Sequence, residues 1–511
     1  MKCAILYIFM FFSFSEAFLF NHENKHGVGV PFMSNFSYYF QYEEQFFNQK
    51  LDHFNPTDKT LWSQRFWRNP QFYKSGGPAF LMIEGEAPAR AEWIVTGQWI
   101  SFAKDNNAIC FMVEHRYYGN SRPTIDASTE NLQYLSSEQA LADLAYFIEA
   151  MNEEYNLPKE IKWIVFGGSY AGSLAAWLRM KYPHLVYGAV SSSGPLLAKT
   201  DFYEYFQVVR NSLSLYDKGC VSAITDANKQ LNKLVRTEIG RSQISEAFQL
   251  CQKLENNKKD ISILFENLAG NFAEVVQYNK DNRKSKSSHV IIDTICDMMM
   301  QPADLPAWKR YAEVNKLMLN INNETCLSCN YSEYITNLQK TDWENASKND
   351  RQWIYQTCTE FGFYQTSSRS TDLFSQHFPV SFFIEQCKNI FGTKFDEVLL
   401  SNAVNRTNIL YGALDINVGN IVYVHGSVDP WHALGITKAT NKPYAAIFIK
   451  GTAHCADMYP SSVKDSDELK SARKEIQRII NLWLKKKEIF QNYHYLVKFI
   501  YLPRMTKEVF V

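Results

Sequence analysis

Hydrophobic and polar positions alternate along the first folded stretch of the chain and then give way to solid apolar runs. Phe47 to Asn55 and Leu61 to Trp67 follow a period of two, which predicts antiparallel strands opening a sheet. Pro78 to Ile83 and Ala108 to Glu114 are short continuous apolar runs bounded by turn residues, the pattern of parallel strands buried on both faces. Ser137 to Met151 changes to the helical period, with Ala140, Leu141, Leu144, Ala145 and Ile148 on one side. Ile161 to Phe166 is another strand run, and Gly188 to Pro195 reads as strand and turn. Strand texture returns at Asn420 to His425 and Tyr444 to Lys450, and Glu468 to Lys487 predicts a closing amphipathic helix. Strands alternating with helices predict an α/β fold.

Between Asp201 and Ala403 the text is different. Long helical periodicity prevails there, interrupted by charged tracts at 256–260 and 280–288. At 511 residues the chain exceeds what one core usually supports, so a main domain with a substantial insertion is expected. The division predicted is a leader at 1–17, the sheet domain at 40–200 and 404–490, a helical insertion or lid at 201–403, and a tail at 491–511.

The junction at Gly167-Gly168-Ser169-Tyr170-Ala171-Gly172 organises this pattern: a strand stops there and a helix starts at once. Gly-x-Ser-x-Gly between strand and helix is the nucleophile elbow, a strained turn that lifts its serine out of the sheet. Ser169 is therefore the candidate nucleophile. A serine hydroxyl needs a base to take its proton and a carboxylate to orient that base. In the α/β-hydrolase fold the acid follows the serine and the histidine comes last, each after a late strand. Asp429, in Gly426-Ser-Val-Asp-Pro-Trp431, and His454, in Gly451-Thr-Ala-His-Cys455, stand in those two places. The oxyanion needs backbone donors, for which the candidates are the N–H of Tyr170 and an amide at Gly85 or Glu86 in the loop after the third strand. Three neighbours compete for roles. Asp457 precedes no base and reads as a supporting or surface carboxylate. His425, inside a strand, reads as a packed histidine satisfied by backbone, and Cys455 as packed or disulfide-bonded.

Charge changes this picture little: 53 basic residues balance 53 acidic ones, which favours neither nucleic acid nor an anionic membrane as partner. Lys2, the apolar run 3–14 and Ser15-Glu16-Ala17 read as a secretory leader, and no later run is long enough for a membrane anchor. Sequons at Asn35, Asn323, Asn330, Asn345 and Asn405 fit that route. Of ten cysteines one leaves with the leader, and the remaining nine cannot all pair within one chain. Cys326-Leu-Ser-Cys329 has zinc-ligand spacing but no matching second pair, so a disulfide is preferred and no metal or cofactor is expected. Whether the chain pairs with a second copy as a homodimer is left open.

Several stretches together resemble one known family. They are Asn48-Gln-Lys-Leu-Asp-His-Phe54, Glu114-His-Arg-Tyr-Tyr-Gly119, Ser137-Glu-Gln-Ala-Leu-Ala-Asp-Leu144, Gly167 to Gly172, Gln356-Thr-Cys-Thr-Glu360, Asp429-Pro-Trp431 and Ala453-His-Cys455. They are similar to the serine carboxypeptidase family that includes prolyl carboxypeptidase, dipeptidyl peptidase II and thymus-specific serine protease, and the texture most resembles the thymus-specific branch. The resemblance implies an α/β-hydrolase core with an inserted helical, disulfide-bonded cap and a triad of Ser169, Asp429 and His454. It implies peptide substrates cut beside proline near a terminus, a proline pocket lined by Trp431, Phe361 and Phe363, and a Cys358–Cys387 disulfide. Two positions depart from the family's pattern: Glu84-Gly85-Glu86-Ala87 replaces Gly-Gly-Glu-Gly, and His425 replaces a common asparagine.

The function expected is that of a secreted or lysosomal serine exopeptidase. An esterase or lipase on the same scaffold is the nearest alternative, and a catalytically silent binding protein is the alternative of a different class. The sequence does not separate carboxypeptidase from dipeptidyl-peptidase or tripeptidyl-peptidase action.

Overall fold

The computed structural model describes residues 42–280, 290–348, 350–368 and 373–485. The leader, Asn35, the basic tract at 282–288 and the tail at 491–511 lie outside the described residues. Among the described residues there are ten strands: β1 (Gln45–Lys50), β2 (Leu61–Asn69), β3 (Ala79–Ile83), β4 (Ile109–Val113), β5 (Trp163–Gly168), β6 (Val186–Ser192), β7 (Lys199–Asp201), β8 (Gly362–Tyr364), β9 (Ile421–Gly426) and β10 (Ala445–Ile449).

Eight of them form one sheet in the order β1-β2-β4-β3-β5-β6-β9-β10. The alternating strands β1 and β2 pair antiparallel, as expected, and β2 meets β4 antiparallel. From β4 onward every pairing is parallel. The solid apolar runs explain this: all five residues of β3 and of β4 are buried, so both sheet faces need cover. Leu81, Ile83, Phe111, Val113 and Val165 face one core with the helices Ser137–Glu154 and Tyr170–Lys181. Phe80, Met82, Cys110, Met112, Ile164 and Phe166 face a second core with Trp93, Trp99, Phe102 and Trp483. Trp483 belongs to the closing helix Asp467–Lys485.

The text between β6 and β9 builds a helical cap. Its helices run from Glu204–Tyr216 to Glu397–Tyr411, and it carries the disulfides Cys220–Cys296, Cys251–Cys326 and Cys358–Cys387. The last is the pair implied by the family resemblance. Cys326 bonds to Cys251 and leaves Cys329 a buried thiol, while Cys110 and Cys455 are also free and buried. The helical pattern did not announce one strand within this stretch: β8 pairs in parallel with β7.

The resembling motifs act as joints. Glu114 is fully buried and accepts from Arg65 Nε (3.1 Å) and Nη2, from the N–H groups of Ala89 (2.9 Å) and Asn120 (3.0 Å), and from Ser121 Oγ (2.7 Å). The Ala89 bond ties the end of the loop after β3 to the sheet. Asp143 accepts two 2.6 Å bonds from Arg116 and faces His53 Nε2 at 2.8 Å. Breaking such a buried pair by removing one partner typically costs about 3–5 kcal/mol.

Candidate active site

Ser169 stands between the last residue of β5 and the first residue of the helix Tyr170–Lys181, at φ 59° and ψ −132°. A non-glycine residue is strained there, and the strain turns the serine out of both elements. The flanking glycines permit the close approach. A Cβ at Gly167 would lie 2.1 Å from the Ala171 carbonyl oxygen, and one at Gly172 would lie 2.7 Å from that of Ser192. The hydroxyl donates to Glu86 Oε1 at 3.5 Å.

Asp429 and His454 follow β9 and β10, the two strands beyond β6, at the same sheet end. Asp429 Oδ1 accepts from the Trp431 N–H at 3.0 Å, which fixes the carboxylate at the start of the short turn Pro430–Leu434. His454 Nδ1 lies 2.9 Å from Asp429 Oδ1, with both side chains at most 1% exposed. Burial alone would push the imidazole's pKa down, but the adjacent Asp429 charge outweighs it and holds the pKa well above the ordinary value. The same pairing brings Asp429 below the usual carboxylate range against the upward push of burial. The turn after β6 links this pair to the elbow: the Ser169 N–H donates to the Ser192 carbonyl (2.9 Å), and the Cys455 N–H to Ser193 Oγ (2.9 Å).

The Tyr170 N–H is the first of its helix and has no carbonyl acceptor within it. Gly85 runs against that helix end, where an added Cβ would meet Ala171 N at 3.3 Å. Glu86 is buried beside it, and Glu84 is pushed up to about 8, mainly by burial and then by the charges of Glu114 and Glu86. The aromatic candidates also converge. Phe361 and Phe363 stack at 5.3 Å, and Phe363 meets Trp431 edge-on at 5.6 Å. Phe361 is wholly buried against Tyr170 and Trp177, so it backs the wall rather than facing solvent. Gly362 and Phe363 present that wall with φ of 69° and 61°.

Three readings of neighbouring residues need correction or refinement. His425 is packed, at 1% exposure, but neither ring nitrogen has a partner among the described residues. The backbone of β9 is committed to ladders with β6 and β10 on either side and offers it nothing. Burial lowers its pKa to about 4. Asp457 is not at the surface: it is buried and accepts from Ser192 Oγ at 2.6 Å. Its pKa is pushed up to about 6, mainly by burial. Cys455 is packed and free.

Sequence patterns missed the contribution of the cap. Phe202 and Tyr205 pack against Trp431 at 5.4 and 5.8 Å, and the Tyr278 ring lies edge-on to His454 at 6.0 Å. Gln277 bonds to both loops of the site. Helical periodicity marks these residues as buried without saying against what. Of the sequon asparagines, Asn323 and Asn405 are exposed. Asn330 caps a helix by accepting from the Glu333 N–H, and Asn345 Nδ2 donates to Asp342.

An eight-stranded, mostly parallel sheet with a serine elbow and a buried Asp–His pair at the same end defines a hydrolase of the α/β-hydrolase class. Residues 49–476 match the profile of the family Serine carboxypeptidase S28, and the chain belongs to that family of serine-type peptidases. Its relatives include a Caenorhabditis elegans protein named as a serine protease, 38% identical over 89% of this chain and 91% of that one. They also include the mouse thymus-specific serine protease, 33% identical over 86% of each chain. The bovine lysosomal Pro-X carboxypeptidase is 27% identical over 87% of this chain and 88% of that one. A solved Mycobacterium smegmatis proline iminopeptidase overlaps 86% of this chain and 99% of its own, with a TM-score of 0.36 and 9% identity. The fold assignment therefore stands on this chain's own strand order.

Proposed function

We propose that this serine peptidase is an exopeptidase that cuts beside proline near a peptide terminus, through an acyl-enzyme on Ser169. His454 takes the proton from Ser169 Oγ as the oxygen attacks the scissile carbonyl, while Asp429 stays ionised and holds the imidazole through Nδ1. The oxyanion is met by the Tyr170 N–H and by an amide at Gly85 or Glu86. His454 then passes its proton to the leaving amine, and water releases the acyl group by the same steps in reverse. The observation that carries this reading is the sealed Asp429–His454 pair, 2.9 Å apart, on loops tied to the Ser169 elbow.

The aromatic wall of Phe202, Tyr205, Phe363 and Trp431 supports proline selection. A pyrrolidine ring offers flat apolar faces and no N–H, so stacking rather than hydrogen bonding must recognise it. The bovine relative's name, Pro-X carboxypeptidase, agrees with that preference. Three disulfides support passage through an oxidising compartment, with glycans at the sequons and residence outside the cell or in a lysosome. No helix among the described residues is long and apolar enough to cross a membrane.

Mass-spectrometric profiling of a peptide library with proline at each position tests the specificity. Products released from one terminus, with proline at the cut, are expected. Internal cuts without regard to proline, or turnover of acyl esters alone, would overturn it.

A further inference from the structure

Gln277 ends the helix Lys258–Gln277 at the point where the cap touches both loops of the site. Its backbone carbonyl accepts from the His454 N–H at 2.9 Å. Its side-chain Oε1 accepts from Trp431 Nε1 at 3.0 Å and from the Tyr205 hydroxyl at 2.7 Å. An indole N–H can only donate, so the amide has a single allowed orientation: oxygen toward Trp431, nitrogen away from it. The residue is 8% exposed, yet Nε2 donates to no described residue and still reaches solvent. Two N–H donors, at a residue bonded both to Trp431 and to the His454 loop, thus have no acceptor among the described residues.

We infer that Gln277 is a specificity-determining residue whose side-chain NH₂ donates to the substrate's main-chain carbonyl immediately before the residue seated against Trp431. The inference rests on the proposed function. The carbonyl of the seated residue itself belongs to the oxyanion donors, so the preceding carbonyl is the next acceptor along the acyl side. When the seated residue is proline, the peptide bond before it has an oxygen to offer and no N–H. A donor is the only hydrogen-bonding group that can read such a bond. The donor here is neutral, which matches a carbonyl; a charged terminus would be met by a charged partner. A donor fixed in one direction that the seated chain shields from water also disfavours a substrate that leaves it unfilled.

Paired substrates test this: a peptide with proline at the cut, and its thioxo analogue in which that one preceding carbonyl oxygen is sulfur, a poorer acceptor. Wild-type protein should prefer the oxygen peptide by about tenfold in kcat/KM. Gln277→Glu keeps an oxygen for Trp431 and Tyr205 but replaces the donor, and Gln277→Met removes both functions at similar size. In each variant the oxygen peptide should lose about tenfold or more while the preference collapses toward one. A purely structural role would slow both substrates alike, and an unchanged ratio in the variants overturns the inference. No preference in the wild type overturns it even if neither variant folds. Labelling of wild-type Ser169 by a fluorophosphonate separates the two failures: if the protein labels and cuts but shows no preference, only Gln277's role falls. If it neither labels nor cuts, the proposed function falls and the inference with it.

Discussion

The sheet rim and the cap hold their residues by opposite means. At the rim, Ser169, Asp429 and His454 follow strands whose hydrogen-bond ladders fix where each loop begins, so each is placed by its own short stretch of chain. In the cap, Phe202, Tyr205, Gln277 and Phe363 come from distant stretches and meet at Trp431 only when the helices pack. In the proposed function this becomes a division of labour, with acyl transfer assigned to the rim and the choice of chain end assigned to the cap. Besides Gln277, a further joint couples the cap to the core. Glu360 of the cap accepts from the N–H (3.0 Å) and Oγ (2.6 Å) of Ser137 at the head of a core helix, and Gln356 bonds to Tyr118 and Tyr170.

Substitutions at the rim should produce the largest effects. Ser169→Ala should remove peptide turnover by about 10⁴-fold or more with the fold intact, measured as kcat together with the melting curve. Asp429→Asn should lower kcat by about 10⁴-fold while leaving KM nearly unchanged, because it disturbs the tautomer rather than the pocket. The wild-type labelling rate should also rise with pH through an ionisation above 6.5, since Asp429 holds His454 on the high side of that value. A titration at or below 6.5 would show that the pair is not coupled as described.

Cap changes should be smaller and of another kind. Phe363→Ala should cut the ratio of kcat/KM for proline over alanine substrates by about tenfold to a hundredfold. A fall in kcat alike for both substrates would erase the distinction between the two regions.

The joint adds a stability effect. Burial raises Glu360 from 4.5 to about 7, so between those values the folded protein binds the proton more tightly than the unfolded chain. Stability from this group is therefore full below pH 4.5 and is lost as pH rises toward 7. Glu360→Gln should flatten that slope, changing Tm by a few degrees or about 5 °C at most. The smallest effect is expected at His425, whose pKa burial lowers to about 4 and whose ring has no partner among the described residues: His425→Asn should leave kcat/KM within about threefold.

How much of this was legible follows the same division. The elbow could be read because a strained turn demands small residues at fixed spacing, and Asp429 and His454 because each follows an apolar strand run. The aromatic wall entered through family resemblance at Trp431, Phe361 and Phe363. Phe202, Tyr205 and Gln277 carry no local signal, since a helical period records which side is buried but not its neighbour. Even β8 was hidden, because three residues shaped by positive φ at Gly362 and Phe363 leave no alternating pattern. His425 misled for a related reason: a strand histidine suggests a backbone partner, yet a central strand has none to spare.

Labelling with a fluorophosphonate, followed by mass spectrometry of the modified peptide, tests most directly whether the rim is a working triad. The adduct should sit on Ser169 and disappear in Ser169→Ala, and in His454→Ala its formation should slow by about 10³-fold or more. An adduct on another residue, or labelling that persists in Ser169→Ala, would contradict it.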